Sequence, residues 1–140
     1  MKALFDTNIL VYAYNTSSSY YEKARSLYEE VDNIFIAQQN LLELYSVITD
    51  KRRIEFPATH KEALALLHIY HSENFTIINP TSQTTEVLLT LLKGTEVNNT
   101  EIFDTYLVAT MLTNQVRTIY TADEKVFKKF STIEIINPFI

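Results

Sequence analysis

The sequence predicts an α/β domain, a mainly parallel sheet with helices on both faces, in one domain over residues 1–140. Three observations carry this. Short apolar runs of strand length alternate with longer segments whose apolar residues recur every three or four positions. Such alternation implies crossover connections and therefore parallel strands. The chain has 140 residues, 46% of them hydrophobic and 12% aromatic, which suits a single sizeable core. No repeat, low-complexity tract or linker divides it.

The elements follow in order. Lys2 to Asp6 is the first strand, apolar through Ala3, Leu4 and Phe5 and ending on a carboxylate. Asn8 to Tyr14 is a short helix or extended turn, and Thr16 to Ser19 is a polar break. Tyr20 to Glu30 has helical spacing at Ala24, Leu27, Tyr28 and Val31. Asn33 to Ala37 is the second strand. Gln38 to Arg53 is a helix with Leu41, Leu44, Tyr45 and Ile48 on one face, its basic end suiting a helix C-terminus. Pro57 opens the next helix, striped by Ala63, Leu66, Leu67 and Tyr70. Phe75 to Asn79 is the third strand, closed by Pro80. Thr84 to Lys93 is a helix stopped by Gly94. Asn98 and Glu101 form a capping pair for a helix from about Asn99 to Asn114. Thr118 to Thr121 is the fourth strand, Asp123 to Phe130 a short helix, and Ile133 to Ile136 the fifth strand, closed by Pro138.

Composition narrows the function. There is no cysteine, hence no disulfide framework, thiolate zinc site or cysteine nucleophile, and a cytoplasmic setting is expected. No apolar run is long enough to span a membrane, and the N-terminus does not read as a signal peptide. The one glycine, Gly94, excludes glycine-rich phosphate loops. A net charge of -5 argues against a general nucleic-acid coat protein. It does not argue against a nuclease, whose metal-binding acids are negative until cations arrive.

Four carboxylates stand out. Asp6 ends a strand, where ligands collect in such sheets, and also reads as the cap of the following helix. Glu43 lies early in a helix apolar on more than one side; its bland reading is a solvated edge shared with Asn40 and Asp50. Asp104 shares a face with Val108 and Met111 and lies too deep in its helix to be a cap, leaving a salt bridge as its structural reading. Asp123 follows the fourth strand and reads equally as a helix cap. Were the four to converge, their repulsion would require cations. Oxygen-only ligands favour Mg²⁺ or Mn²⁺, ions suited to in-line displacement at phosphorus.

Asp6-Thr7-Asn8-Ile9-Leu10, Leu42-Glu43-Leu44, Phe103-Asp104-Thr105 and Thr121-Ala122-Asp123 resemble the motifs of PIN-domain proteins, in order and spacing, over nearly the whole chain. The length resembles that of the VapC-like ribonuclease toxins of type II toxin–antitoxin pairs. The resemblance implies a five-stranded parallel sheet of order 3-2-1-4-5 and Mg²⁺- or Mn²⁺-dependent cleavage of RNA. It carries catalysis and metal ligation onto Asp6, Asp104, Glu43 and Asp123, most firmly the first two, with Asn8 and Thr121 orienting them by hydrogen bonds. A small antitoxin partner and a homodimer are implied as well. Two departures stand: Thr105, where the family often has alanine, and the modest basic content.

Other residues are weighed against this. Lys51, Arg52 and Arg53 are candidate RNA-binding residues, with Lys125, Lys128 and Lys129 as a second patch, against the reading of solvated helix ends. His68 and His71 have a metal-like spacing but no carboxylate beside them, so surface histidines are expected. Tyr12, Tyr14, Tyr20 and Tyr21 offer base stacking or a partner groove, against ordinary packing. The leading function is thus a metal-dependent endoribonuclease, the toxin of a pair. The alternative is a catalytically inactive RNA-binding or scaffold PIN domain. A phosphatase or receiver with Asp6 as phosphoacceptor is disfavoured, since Asn8 stands where a dehalogenase-type site needs a second Asp.

Overall fold

A computed structural model describes residues 1–72 and 74–140. Five parallel strands, β1 (Lys2–Phe5), β2 (Asn33–Ala37), β3 (Phe75–Ile78), β4 (Thr118–Tyr120) and β5 (Glu134–Ile136), form one sheet in the order β3-β2-β1-β4-β5. This is the predicted architecture. The side-chain period of two explains why each strand carries apolar residues on both faces: each feeds two cores. Ala3, Phe5, Ile34, Ile36 and Tyr120 face one core, while Leu4, Ala37, Ile78 and Ile119 face the other.

The first core is covered by α1 (Thr7–Tyr14), α2 (Tyr21–Glu30), α3 (Gln38–Ile48) and α4 (His60–Tyr70), which contribute Ile9, Leu10, Leu27, Leu44, Ile48 and Ala63. Tyr28 and Tyr70 close it with a 2.7 Å hydroxyl–hydroxyl hydrogen bond, which satisfies two polar atoms that burial would otherwise orphan. The second core is covered by α6 (Glu101–Thr113), which brings Leu107, Val108 and Met111, and by a 3₁₀ turn (Phe127–Lys129) that brings Phe127. Helix α5 (Thr84–Gly94) lies alongside α6, tied to it by Thr84 and Thr113 hydroxyls 2.9 Å apart.

Several expected boundaries move. Helix α3 ends at Ile48 rather than Arg53. Thr49 turns its hydroxyl back onto the Tyr45 carbonyl, and the Asp50 carboxylate accepts from the Arg52 backbone N–H, so residues 50–53 form a turn instead of a basic helix end. Ile54 is buried immediately after that turn. Helix α4 starts at His60, three residues past Pro57. Its true start signal is a reciprocal box: Thr59 Oγ1 accepts from Glu62 N–H, and Glu62 Oε1 accepts from Thr59 N–H. Thr59→Ala is expected to cost about 1 kcal/mol of unfolding free energy, read by urea denaturation. Residues 123–130 form only the short 3₁₀ turn, not a helix capped by Asp123.

Helix α6 starts at Glu101, not near Asn99. The expected pair holds: Asn98 Oδ1 accepts from Glu101 N–H at 2.9 Å, and Glu101 Oε1 accepts from Asn98 N–H at 3.0 Å. Asp104 therefore lies in the first turn, four residues past the cap position Thr100, and is not the helix cap, as the sequence predicts. It is Asn98 that caps instead. Thr105 is fully buried, with its hydroxyl donating to the Glu101 carbonyl, so the side chain departing from alanine carries its own hydrogen bond partner.

Candidate active site

The order 3-2-1-4-5 makes the chain depart from β1 to one side and return through β4 on the other. That split opens a crevice beyond the C-terminal ends of β1 and β4, the place where doubly wound sheets bind ligands. The backbone fixes it closely: Asp6 N–H donates to the Tyr120 carbonyl at 3.0 Å, so Asp6 and Thr121 leave adjacent strands side by side.

Asp6 is both readings at once. It is the N-cap of α1, its Oδ1 accepting from Thr7 N–H at 2.8 Å, and it points into the crevice. Its Oδ2 accepts from Thr121 Oγ1 at 2.8 Å and, more weakly, from Asn8 Nδ2 at 3.4 Å. Asn8 also accepts, through Oδ1, from Ala122 N–H at 3.0 Å, which ties the start of α1 to the loop after β4. Thr121 Oγ1 receives the Asp123 N–H at 3.1 Å. Asn8 and Thr121 thus hold together the two segments that carry Asp6 and Asp123.

Glu43 arrives from α3. Its carboxylate accepts from Thr7 Oγ1 at 2.9 Å, and Thr7 Oγ1 accepts in turn from Asn40 Nδ2 at 3.0 Å. Asn40 is fully buried, with its Oδ1 on the Ala37 N–H. The solvated edge that the sequence suggests for Asn40 is absent, since the fold buries it, and nothing local marks Asn40 or Thr7 as a relay. The residues are 33 apart, and no local pattern announces their contact. Helix α3 is also less apolar all round than its sequence suggests, since Leu42 is 70% exposed and Glu43 lies on that open side.

Asp6, Glu43, Asp104 and Asp123 line one cavity of about 500 Å³ between α1, α3 and α6. Asp104 and Asp123 also line a neighbouring cavity of about 350 Å³, which includes Asn98, Glu101 and Lys125. Burial pushes Asp6 up to about 6 against the opposing hydrogen bonds of Thr121 and Thr7, with Glu43 and Asp123 adding repulsion. Burial likewise pushes Asp104 up to about 7, reinforced by the charges of Asp6, Glu43, Asp123 and Glu101. Among the described residues, no Lys or Arg nitrogen pairs with any of the four acids. This rules against the salt bridge considered for Asp104.

The donor chemistry fits a hard divalent cation: four carboxylates, no thiolate and no imidazole. The spacing is more open than a finished coordination sphere. Among the described residues, no three His, Asp or Glu side chains stand close enough together to hold one ion.

The basic candidates separate. Arg53 lines the cavity, whereas Arg52 is held by Asp50 at 3.1 Å and Lys51 is solvent-exposed away from the lining. Lys129 is drawn to Glu101 at 2.9 Å and Lys128 to Glu124 at 3.5 Å, leaving Lys125 of that patch at the second cavity. His68 and His71 are exposed, as expected for surface histidines. Tyr12 lines the cavity, and its ring packs edge-on against Tyr20.

A family model described as PIN domain matches residues 3–132. A comparison with curated proteins gives no match. Among solved structures, the chain is similar to VapC20 of Mycobacterium tuberculosis, a sarcin–ricin-loop-cleaving toxin, at TM-score 0.70 and 16% identity, covering 91% of this chain and 94% of that one. It is similar to a toxin–antitoxin complex from Klebsiella pneumoniae at TM-score 0.70 and 19% identity, covering 99% and 98%. It is also similar to VapBC2 of Rickettsia felis bound to a promoter DNA fragment, at TM-score 0.67 and 24% identity, covering 98% of both chains.

Proposed function

This chain belongs to the PIN-domain family, and on that premise we propose that it is a divalent-metal-dependent endoribonuclease, the toxin of a toxin–antitoxin pair. One observation carries the reading. Four carboxylates from four separate segments line one cavity at the sheet's C-terminal edge, with no protein cation paired to them among the described residues. Left alone, such a cluster opposes its own ionisation, as the raised Asp6 and Asp104 values express. A cluster of this kind is stable when occupied by a cation.

In this reading Asp6 and Asp104 would hold Mg²⁺ or Mn²⁺, with Glu43 and Asp123 as further ligands, direct or through water. Such an ion, when bound, would supply Lewis-acid assistance to hydrolysis of the phosphodiester. The chain's own part is positioning. Thr121, Asn8 and Thr7 N–H fix both oxygens of Asp6, and Thr7, steadied by Asn40, orients Glu43. The cavity is wide enough for a backbone phosphate to enter beside the acids, and Arg53 offers it a cation at the rim. The neighbours that are toxins or toxin–antitoxin complexes support a small antitoxin as partner; a homodimer and a cytoplasmic setting complete the proposal. No helix among the described residues is long and apolar enough to cross a membrane.

The test is cleavage of total RNA by purified protein with Mn²⁺, with cut sites mapped by sequencing. Cleavage is expected with the metal, stops in EDTA, and is lost in Asp6→Asn with the fold intact by circular dichroism. Activity that survives EDTA would overturn the mechanism. The open spacing of the acids favours a second reading, a catalytically silent RNA-binding or scaffold domain. A calorimetric titration separates the two: a stoichiometric Mn²⁺ site supports the nuclease, and no heat supports the scaffold.

A further inference from the structure

Among the described residues, no hydrogen bond reaches the carboxylate of Asp104 or of Asp123, so each acid is placed by its backbone segment alone. For Asp104 that segment is the first turn of α6. Of its residues 101–104 only Glu101 is buried, and packing into the second core begins further on, at Leu107. Glu101 is therefore what anchors the turn. Its Oε1 accepts twice, from Asn98 N–H at 3.0 Å and from Lys129 Nζ at 2.9 Å. Among the ion pairs of the described residues this one has the most enclosed acid, with side chains 33% and 9% exposed for Lys129 and Glu101. Lys129 Nζ also reaches the Glu96 carbonyl at 3.5 Å. Lys129 is itself fixed, since it ends the 3₁₀ turn between Phe127 and Phe130, both buried in the second core. That turn belongs to the segment that carries Asp123. Among the described residues, the two bonds from Lys129 are the only hydrogen bonds between this segment and the start of α6.

We propose that Lys129 is a positioning residue: through Glu101 it sets how far Asp104 stands from Asp123, and so brings the acid cluster into a form that a divalent cation can occupy. The inference rests on the metal-dependent reading of the site and adds a residue that acts through its neighbour. Asn8 and Thr121 do the corresponding work on the other side, joining Asp6 to the segment of Asp123. Lys129 closes the frame. Its charge has an opposing effect, because a cation beside the cluster disfavours a second one. Deleting that charge without moving anything would tighten metal binding. Releasing Glu101, and with it the turn that carries Asp104, weakens metal binding. The two effects differ in sign, so one measurement separates them.

Mn²⁺ is titrated calorimetrically into the full chain at neutral pH, with the fold of each variant checked by circular dichroism. Lys129→Met keeps the packing of the stem and is expected to weaken Mn²⁺ binding about tenfold. Lys129→Arg keeps a donor for Glu101 and recovers most of that loss. Lys128→Met removes the same charge one residue away, from a pair with Glu124 at 3.5 Å, and does not weaken binding. The double variant Glu101→Gln, Lys129→Met strands no enclosed charge, so it folds even where Lys129→Met alone does not. It is expected to bind Mn²⁺ as weakly as Lys129→Met. Affinity that is unchanged or tighter in Lys129→Met, or restored to the wild-type level in the double variant, overturns the proposal, because the pair then acts only through charge or fold stability. A wild-type chain that takes up no Mn²⁺ removes the metal-dependent reading and this inference together, whereas wild type and Lys129→Met binding equally well removes this inference alone.

Discussion

Asp104→Asn is expected to lower metal-dependent RNA cleavage by about a thousandfold or more while raising the melting temperature of the metal-free protein. The two effects have one origin. Asp104 is half-buried on α6, above the fully buried Val108 and Met111, and no donor among the described residues reaches its carboxylate. Burial first, and then the charges of Asp6, Glu43, Asp123 and Glu101, push it up to about 7. A neutral amide of the same shape removes that repulsion and keeps the packing. After discounting for solvent at a half-exposed site, the gain is about 1–2 kcal/mol, or roughly 3–6 °C in Tm. Cleavage assays with Mn²⁺ beside thermal melts in EDTA check both halves. A variant that loses activity and also stability would mean that Asp104 is a structural acid with an unseen partner, and the metal-centre reading would fall with it.

How much of this the sequence makes legible depends on whether the signal is local. The strand ending at Asp6 is legible because three apolar residues feed two cores at once and a carboxylate follows immediately. The capping pair of Asn98 and Glu101 is legible because both partners lie within one turn. The end of α3 is not, because the basic run Lys51-Arg52-Arg53 suits a helix C-terminus, whereas the turn-back of Thr49 onto Tyr45 and the hold of Asp50 on the Arg52 N–H exist only in the folded chain. The stretch after β4 fails for a similar reason: Val126, Phe127 and Phe130 are buried at spacings that a 3₁₀ turn and an α-helix share. In the site, the four acids can be named from the chain because each ends a strand or interrupts an apolar pattern. The relay from Asn40 through Thr7 to Glu43 cannot, since it exists only once α1 and α3 are packed together. Nor does sequence distinguish Arg53, at the cavity, from Arg52, folded back onto Asp50.

The metal-free protein is expected to be more stable at pH 5 than at pH 8 by about 2–3 kcal/mol, the reverse of the usual behaviour of paired carboxylates. The sign follows from two raised values. Asp6 titrates at about 6 and Asp104 at about 7 in the folded chain, against 3.8 for the ordinary side chain. Between about pH 4 and pH 7 the folded state therefore holds protons that the unfolded state has released, and stability falls as pH rises through that window. Above it the full repulsion is present. Acids with lowered values act in the other direction but lower on the scale. Hydrogen bonds from Thr59 hold Glu62 below its usual range, and Lys129 does the same for Glu101, so their stabilisation is lost only as pH falls past about 4.5. Urea unfolding in EDTA at pH 5, 6, 7 and 8 reads the slope directly. The Asp6→Asn, Asp104→Asn double variant should flatten it. Saturating Mn²⁺ should reverse it, because the cation binds only the deprotonated cluster and so stabilises the fold most where the bare protein is weakest. A metal-free profile that rises from pH 5 to pH 8 would show that the four acids do not share a field, and the convergent cluster on which the functional reading stands would be lost.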